Sequence, residues 1–393
     1  MISLLHPAFL EKHKVDEWKS LREQLEKQGG EMTGHSYMSA ESKGGYTTVV
    51  QRARFRKDSL DFRIVVDTLN LIEGFWVDLI KKSYTFAPPM YARVTSFHEE
   101  EVFVGDSLTG RLPGLLSIPD SPGPFAAVVL VHGSGPHDRD ETTKGNKPFR
   151  DLAWGLATRG VLVLRYDKRS RALPRTLDPA TVTVKEEIID DVTAAVTLLR
   201  KRKDVDTARL SLIGHSLGGI VAPLIAAADS RIKGIAMLAA AARPLEDVIE
   251  DQLRYTASLV DTLLEADRKT LQTQLQSLAG IRAKSLPGNS VVLSAPVNYY
   301  YDLHKRPWVE KAKALNIPMF VASAGKDYQV TAKDADIWKS ALRGKPNVRF
   351  FTCDSCFHLF IEAPGKPAPS NYDIESNVTI DLIRDLALWS KRK

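Results

Sequence analysis

From about Tyr91 onward, short apolar runs alternate with helical stretches, and this rhythm restricts the fold more than any other feature of the chain. AAVVLVHG, VLVLRYD, LSLIGH, IKGIAMLAA and IPMFVASAG are short, apolar and β-branched. Strands buried on both faces of a mostly parallel sheet have this character. FHEEEVFVG and LPGLLSIP read as two leading strands. FRDLAWGLATRG, KEEIIDDVTAAVTLLRKR, LGGIVAPLIAAA and AKDADIWKSALRG are helix-like and separate the strands. The alternation predicts a doubly wound α/β domain over 97–393. Residues 243–290 break the rhythm with two or three amphipathic helices, and a helical cap over the carboxyl edge of the sheet is the natural place for them.

Residues 1–85 have a different texture. A polar amphipathic helix is expected from about Pro7 to Gln28, with Gly29-Gly30 as its C-cap. GHSYMSA, YTTVVQRARFR, LDFRIVVDT and LIEGFWVDLI follow as strand-like runs. In the third, Phe62, Ile64 and Val66 alternate with Asp61, Arg63 and Asp67, the period-2 pattern of a half-buried strand. One helix and an antiparallel meander make a small α+β domain, joined to the larger one by a linker over 86–96 that begins near Thr85-Phe86-Ala87-Pro88-Pro89.

Composition excludes several function classes. The 44% hydrophobic and 26% charged content is that of a globular protein. No apolar run reaches the roughly 18 residues that a membrane span needs. The net charge of +6 comes from 54 basic and 48 acidic residues spread along all 393, with no basic arm or nucleic-acid motif. MISLLHPAFLEKHKVDEW lacks a basic n-region and a cleavage site, and reads as a helix start rather than a signal peptide. Two cysteines make no disulfide framework, so a reducing, cytoplasmic location is expected. Neither a P-loop nor a G-x-G-x-x-G fingerprint is present, and no cofactor or metal is expected.

Gly214-His215-Ser216-Leu217-Gly218 is a G-x-S-x-G motif between the strand ARLSLI and the helix LGGIVAPLIAAA, the strand-turn-helix setting that a nucleophilic serine requires. Side chains at 214 and 218 would collide with neighbouring backbone on such a turn. The helix start also directs free N–H groups at developing negative charge. A tetrahedral intermediate needs two preset donors. One is the N–H of Leu217, and the other comes from His132-Gly133-Ser134-Gly135 after strand AAVVLV, where Ser134 or the adjacent Gly133 fits. His132 is expected to structure that loop.

The acid and the base should follow the serine in that order. Asp327 follows the strand IPMFVASAG. His358 comes after one further helix and the strand NVRFFTC. His6, His13, His35, His98 and His304 place poorly, and His137 and His215 sit too near the oxyanion loop and the elbow. Rival acids are Asp302, Asp334, Asp354 and Glu362, with a solvated helix position expected for Asp334. Asp167 is expected to pair with Lys168 or Arg169. In this scheme His358 deprotonates Ser216, Asp327 holds the imidazole tautomer, and water releases the acyl group.

HGSGPHDRDET, RYDKR, GHSLGG, AARPLEDVIEDQL, GKDYQV and HLF together make the chain resemble serine esterases of the α/β-hydrolase superfamily, in the bacterial dienelactone-hydrolase/prolyl-oligopeptidase-like branch. The resemblance extends from about Phe97 to the C-terminus. It implies the α/β-hydrolase fold, a Ser216, Asp327, His358 triad, and carboxylesterase activity on short acyl esters of small molecules. Residues 1–85 resemble a small domain of unassigned function fused ahead of such enzymes. It would restrict access to the site, mediate a homodimer (as the cap also could), or serve structure alone. Two departures stand out: Ser170 replaces the Gly usual after YDKR, and Cys353 and Cys356 are foreign to the pattern. The two thiols are expected to be small packing residues, with an oxidised bridge that displaces His358 as the alternative. A serine peptidase or amidase of the same fold, and a retired hydrolase-fold binding protein, are the competing functions.

Overall fold

A computed structural model of the chain describes residues 5–12, 21–26, 29–56, 59–79, 84–260 and 262–392. The chain divides into two compact units, Met1–Ser83 and Tyr84–Lys393. Of the expected first helix, Pro7–Lys12 and residues 21–26 are helical, while 13–20 and 27–28 lie outside the described residues.

The first unit is an antiparallel meander of β1 (Met32–Lys43), β2 (Tyr46–Phe55), β3 (Ser59–Val66) and β4 (Ile72–Leu79) in sequence order. Gly44 and Gly45, both at positive φ, form the two-residue turn that pairs Lys43 with Tyr46. Its small core is Ala53, Phe55 and Leu60, packed with Leu25, Phe62 and Val77. Across β2 and β3, Arg52 faces Asp61 and donates two hydrogen bonds of 2.7 and 2.9 Å.

In the second unit the strands are β5 (Phe97–Val104), β6 (Leu112–Pro119), β7 (Phe125–Val131), β8 (Val161–Tyr166), β9 (Val205–His215), β10 (Gly234–Leu238), β13 (Met319–Ala324) and β14 (Val348–Cys353). A separate two-stranded ladder, β11 (Val291–Val292) and β12 (Ala295–Pro296), belongs to the insertion. The eight-stranded order is β14-β13-β10-β9-β7-β8-β6-β5. Pairings at β6 are antiparallel and the rest are parallel.

Alternation along the strands sends side chains to opposite faces, and both faces are apolar. Val128, Leu130, Ile213 and Phe320 pack on helices Pro148–Ala157 and Ile380–Ser390. Val129, Leu212, Met237 and Val321 pack on Asp190–Arg200 and Leu217–Ala228. The register then places the site. Val131 pairs with Gly214, and Ala324 with Cys353, so the loops after β7 and β9, and those after β13 and β14, leave the sheet side by side.

The expected insertion at 243–290 carries helices Leu245–Ala257 and Glu265–Arg282, and it runs on past 290 into the short ladder and helix Val297–His304. Leu278, Ile281, Val292, Val297 and Tyr300 give it a core of its own. Asp334, expected to be solvated, is instead fully buried. Its carboxylate accepts the backbone N–H groups of Ala242 and Arg243 and pairs with the Arg243 guanidinium at 2.8 Å. Helix periodicity could not reveal this, because the partner lies 91 residues away. Among the described residues no helix is long and apolar enough to cross a membrane.

Candidate active site

Ser216 is the single residue between β9 and helix Leu217–Ala228, at φ 52° and ψ −117°. A non-glycine residue reaches this region only when its surroundings impose it. Here the Ser216 N–H is tied to Leu238 O at 2.8 Å, and the neighbours are packed without space for side chains. A β-carbon on Gly214 would stand 2.2 Å from Gly218 O, and one on Gly218 would stand 2.0 Å from Val131 O. The motif's small residues therefore permit the close crossing of strand, turn and helix.

Asp327 follows β13 on a loop held by the next strand's turn: Gly325 N–H donates to Cys353 O and Lys326 N–H to Cys356 O. Asp327 Oδ1 accepts the N–H groups of Gln329 and Val330, and its Oδ2 lies 2.6 Å from His358 Nδ1. Both side chains are buried. Of the rival acids, Asp302 holds Arg306 and Asp334 holds Arg243, while Asp354 and Glu362 are exposed. No hydrogen bond joins Ser216 Oγ to His358, but both residues line one cavity. Free enzymes often leave this contact open until substrate binds.

That cavity has a volume of about 960 Å³. Its floor comes from the loops after β7, β9, β13 and β14, and Leu245, Val248, Ile249 and Leu253 of the insertion supply an apolar wall.

The oxyanion loop differs in one respect from the expectation. Gly133 N–H donates to Glu141 Oε1 at 2.7 Å and is therefore occupied. Ser134 N–H and Leu217 N–H, the latter at the helix start where no intrahelical partner exists, have no acceptor among the described residues. Gly133 O is bound as well, by Lys168 Nζ at 2.9 Å. Lys168 is buried and also pairs with Glu187 at 3.0 Å. Asp167 bonds to Arg139 and Arg169 to Asp191, so Asp167 pairs with neither Lys168 nor Arg169 as the sequence suggested.

Glu141 also contacts the elbow. Its Oε2 lies 3.0 Å from His215 Nδ1, an ion-pair distance without an aligned hydrogen bond. His215 Nε2 faces His358 O at 3.0 Å. Burial pushes the Glu141 carboxyl up, but His215 foremost, then His137 and His132, outweigh it and hold it at about 2. Burial likewise opposes charge on His215, yet Glu141 prevails and its pKa is raised. His132 structures the loop as expected, with Nε2 3.1 Å from Asp138 O, and burial lowers it to about 4.

Sequence reasoning assigned no role to Glu141 or His215, and gave Lys168 only a candidate pairing with Asp167. The only local signal was their position: Glu141 in the charge-dense HDRDET after the glycine loop that follows β7, Lys168 just past the strand VLVLRY, and His215 beside the serine. Cys353 and Cys356 form a disulfide, which corrects the free-thiol expectation. The bridged form keeps His358 on Asp327, so bridging does not displace the histidine.

A doubly wound sheet with a strained serine at the carboxyl end of a central strand defines a serine hydrolase of the α/β-hydrolase fold. The chain belongs to the serine aminopeptidase S33 family, whose model matches residues 122–363. It is 39% identical over 354 residues to Esterase EstD of Thermotoga maritima, covering 88% of this chain and 82% of that one. Among solved structures it is similar to Est1E from Butyrivibrio proteoclasticus, with 14% identity over 75% of this chain and 99% of that one (TM-score 0.49). It is also similar to a puromycin-hydrolysing peptidase of Mycobacterium tuberculosis, with 16% identity over 90% of this chain and 47% of that one (TM-score 0.47).

Proposed function

We propose that this carboxylic ester hydrolase cleaves short-chain acyl esters through Ser216, His358 and Asp327. The observation that carries the reading is the pairing of a serine on a strained turn with a buried, carboxylate-bound histidine across one cavity. As Ser216 Oγ attacks the acyl carbonyl, His358 Nε2 takes its proton. Asp327, bound to Nδ1, holds the tautomer in which Nε2 can accept. Ser134 N–H and Leu217 N–H receive the charge that develops on the carbonyl oxygen. His358 then protonates the leaving alkoxide, and water repeats the sequence on the acyl-enzyme, returning the proton to Ser216. The apolar wall from Leu245 to Leu253 offers the acyl chain a surface that excludes water.

The test combines labelling with turnover. A fluorophosphonate should form one adduct, on Ser216, and Ser216→Ala should remove both label and hydrolysis. A p-nitrophenyl ester series should peak at short chains, with an aminoacyl anilide as the amide control. Hydrolysis that survives Ser216→Ala, or an anilide turned over faster than every ester, would sink the reading.

A further inference from the structure

Gly133 is gripped at both of its backbone polar groups by buried side chains of opposite charge. Glu141 Oε1 accepts its N–H at 2.7 Å, and Lys168 Nζ donates to its carbonyl oxygen at 2.9 Å. The peptide that follows is trans, so the Ser134 N–H points opposite to the Gly133 C=O in a single rigid plane. Fixing that oxygen therefore fixes the direction of the donor.

Both grips are themselves anchored. Lys168 is held by Glu187, whose other oxygen accepts the Tyr299 hydroxyl at 2.6 Å. Glu141 sits at φ 52° against His215, which in turn reaches the backbone of His358. The grip also lies against the nucleophile, since a β-carbon on Gly133 would stand 3.3 Å from Ser216 Cβ. Buried groups with this many fixed partners do not reorient when charge develops, which is what an oxyanion donor needs from its support.

We propose that Glu141 and Lys168 are positioning residues that preset the Ser134 N–H as an oxyanion donor, Glu141 by retaining the Gly133 N–H and Lys168 by retaining its carbonyl. The inference rests on the esterase reading of the same site. Neither residue exchanges a proton with substrate. Their effect is on the transition state, where the oxygen carries charge, and not on the ground-state ester.

Glu141→Ala and Lys168→Met should each lower kcat by about 10- to 100-fold, the cost of a misplaced donor. KM should stay within about threefold, because ground-state binding is untouched. The Ki of an alkyl boronic acid, which forms a tetrahedral adduct on serine, should rise by the same factor as kcat falls. Glu141→Gln keeps an acceptor for Gly133 N–H and should recover most of the loss. If Glu141→Ala does not fold, Lys168→Met and Lys168→Arg carry the same reading, with Arg recovering activity. Two results overturn the proposal: kcat within threefold of the parent in folded Glu141→Ala and Lys168→Met, or a boronate Ki that does not follow kcat. Ser216→Ala, run alongside, separates this from the esterase reading, which fails if that variant still hydrolyses ester.

Discussion

Asp327 divides its two carboxylate oxygens between backbone and imidazole: Oδ1 accepts the N–H groups of Gln329 and Val330, while Oδ2 meets His358 Nδ1 at 2.6 Å. In Asp327→Asn the amide oxygen can keep the two backbone bonds, so the variant should fold. Its NH2 group then faces Nδ1 and favours the tautomer with a proton on Nε2, which cannot accept from serine. A fall in kcat of about 10⁴ is expected for p-nitrophenyl acetate. A loss below tenfold would remove Asp327 from the acid's role.

Gly218 and Gly160 separate two costs of a side chain. At Gly218 an added β-carbon meets backbone at 2.0 Å, whereas at Gly160 nothing lies within 4 Å and only the φ of 79° resists. Gly160→Ala should cost about 1 kcal/mol in a urea titration. Gly218→Ala should cost more than about 3 kcal/mol or fail to accumulate as folded protein.

His132 makes folding stability depend on pH. Burial lowers its pKa to about 4, below the ordinary value near 6.5, so between those values the unfolded chain binds a proton that the folded one does not. Stability therefore rises with pH across that window, by on the order of 3 kcal/mol in total, and is lost as pH falls through it. Between pH 6.5 and 4, His132→Asn should show a shallower decline in melting temperature than the parent. Parallel curves would contradict this account.

Asp334 and Arg243 form a pair whose carboxylate is fully buried. Removing Asp334 leaves the Arg243 guanidinium with Asp251 alone and strips two backbone N–H groups of their acceptor. Asp334→Ala should lower stability by about 3–5 kcal/mol, read from the urea midpoint. A change below 1 kcal/mol would mean that solvent reaches the pair.

The Cys353–Cys356 disulfide closes the turn whose carbonyls hold Gly325 and Lys326, two residues before His358. A loop this short contributes roughly 2 kcal/mol or less. Reduction should lower the melting temperature slightly and kcat by about two- to tenfold through small displacements of acid and base. Reoxidation should restore both, and Cys356→Ser should mimic the reduced state. Equal rates in the two redox states would show that the turn holds without the bond.

Elements that rely on neighbouring residues were legible before any coordinates. The buried runs VVLV and MFVASA became β7 and β13, and LGGIVAPLIAAA became a helix over those same residues. The contact of His358 with Asp327 was legible too, because one helix and one strand between them suffice to bring two loops to adjacent strand ends. Side-chain partners were not. Asp167 found Arg139, and Asp334 found Arg243, across 28 and 91 residues.

The chain's own pattern determined the order of strands and helices, and the elbow at Ser216, since periodic burial and a run of small residues act over a few neighbours. Tertiary structure alone decided that Gly133 N–H is taken by Glu141, that Lys168 turns to the Gly133 carbonyl, and that the two cysteines bridge. Such choices depend on which charges and donors strand register brings within about 3 Å. Coulombic and hydrogen-bond energies distinguish partners only at contact, in a low dielectric, and a linear sequence holds no record of that distance.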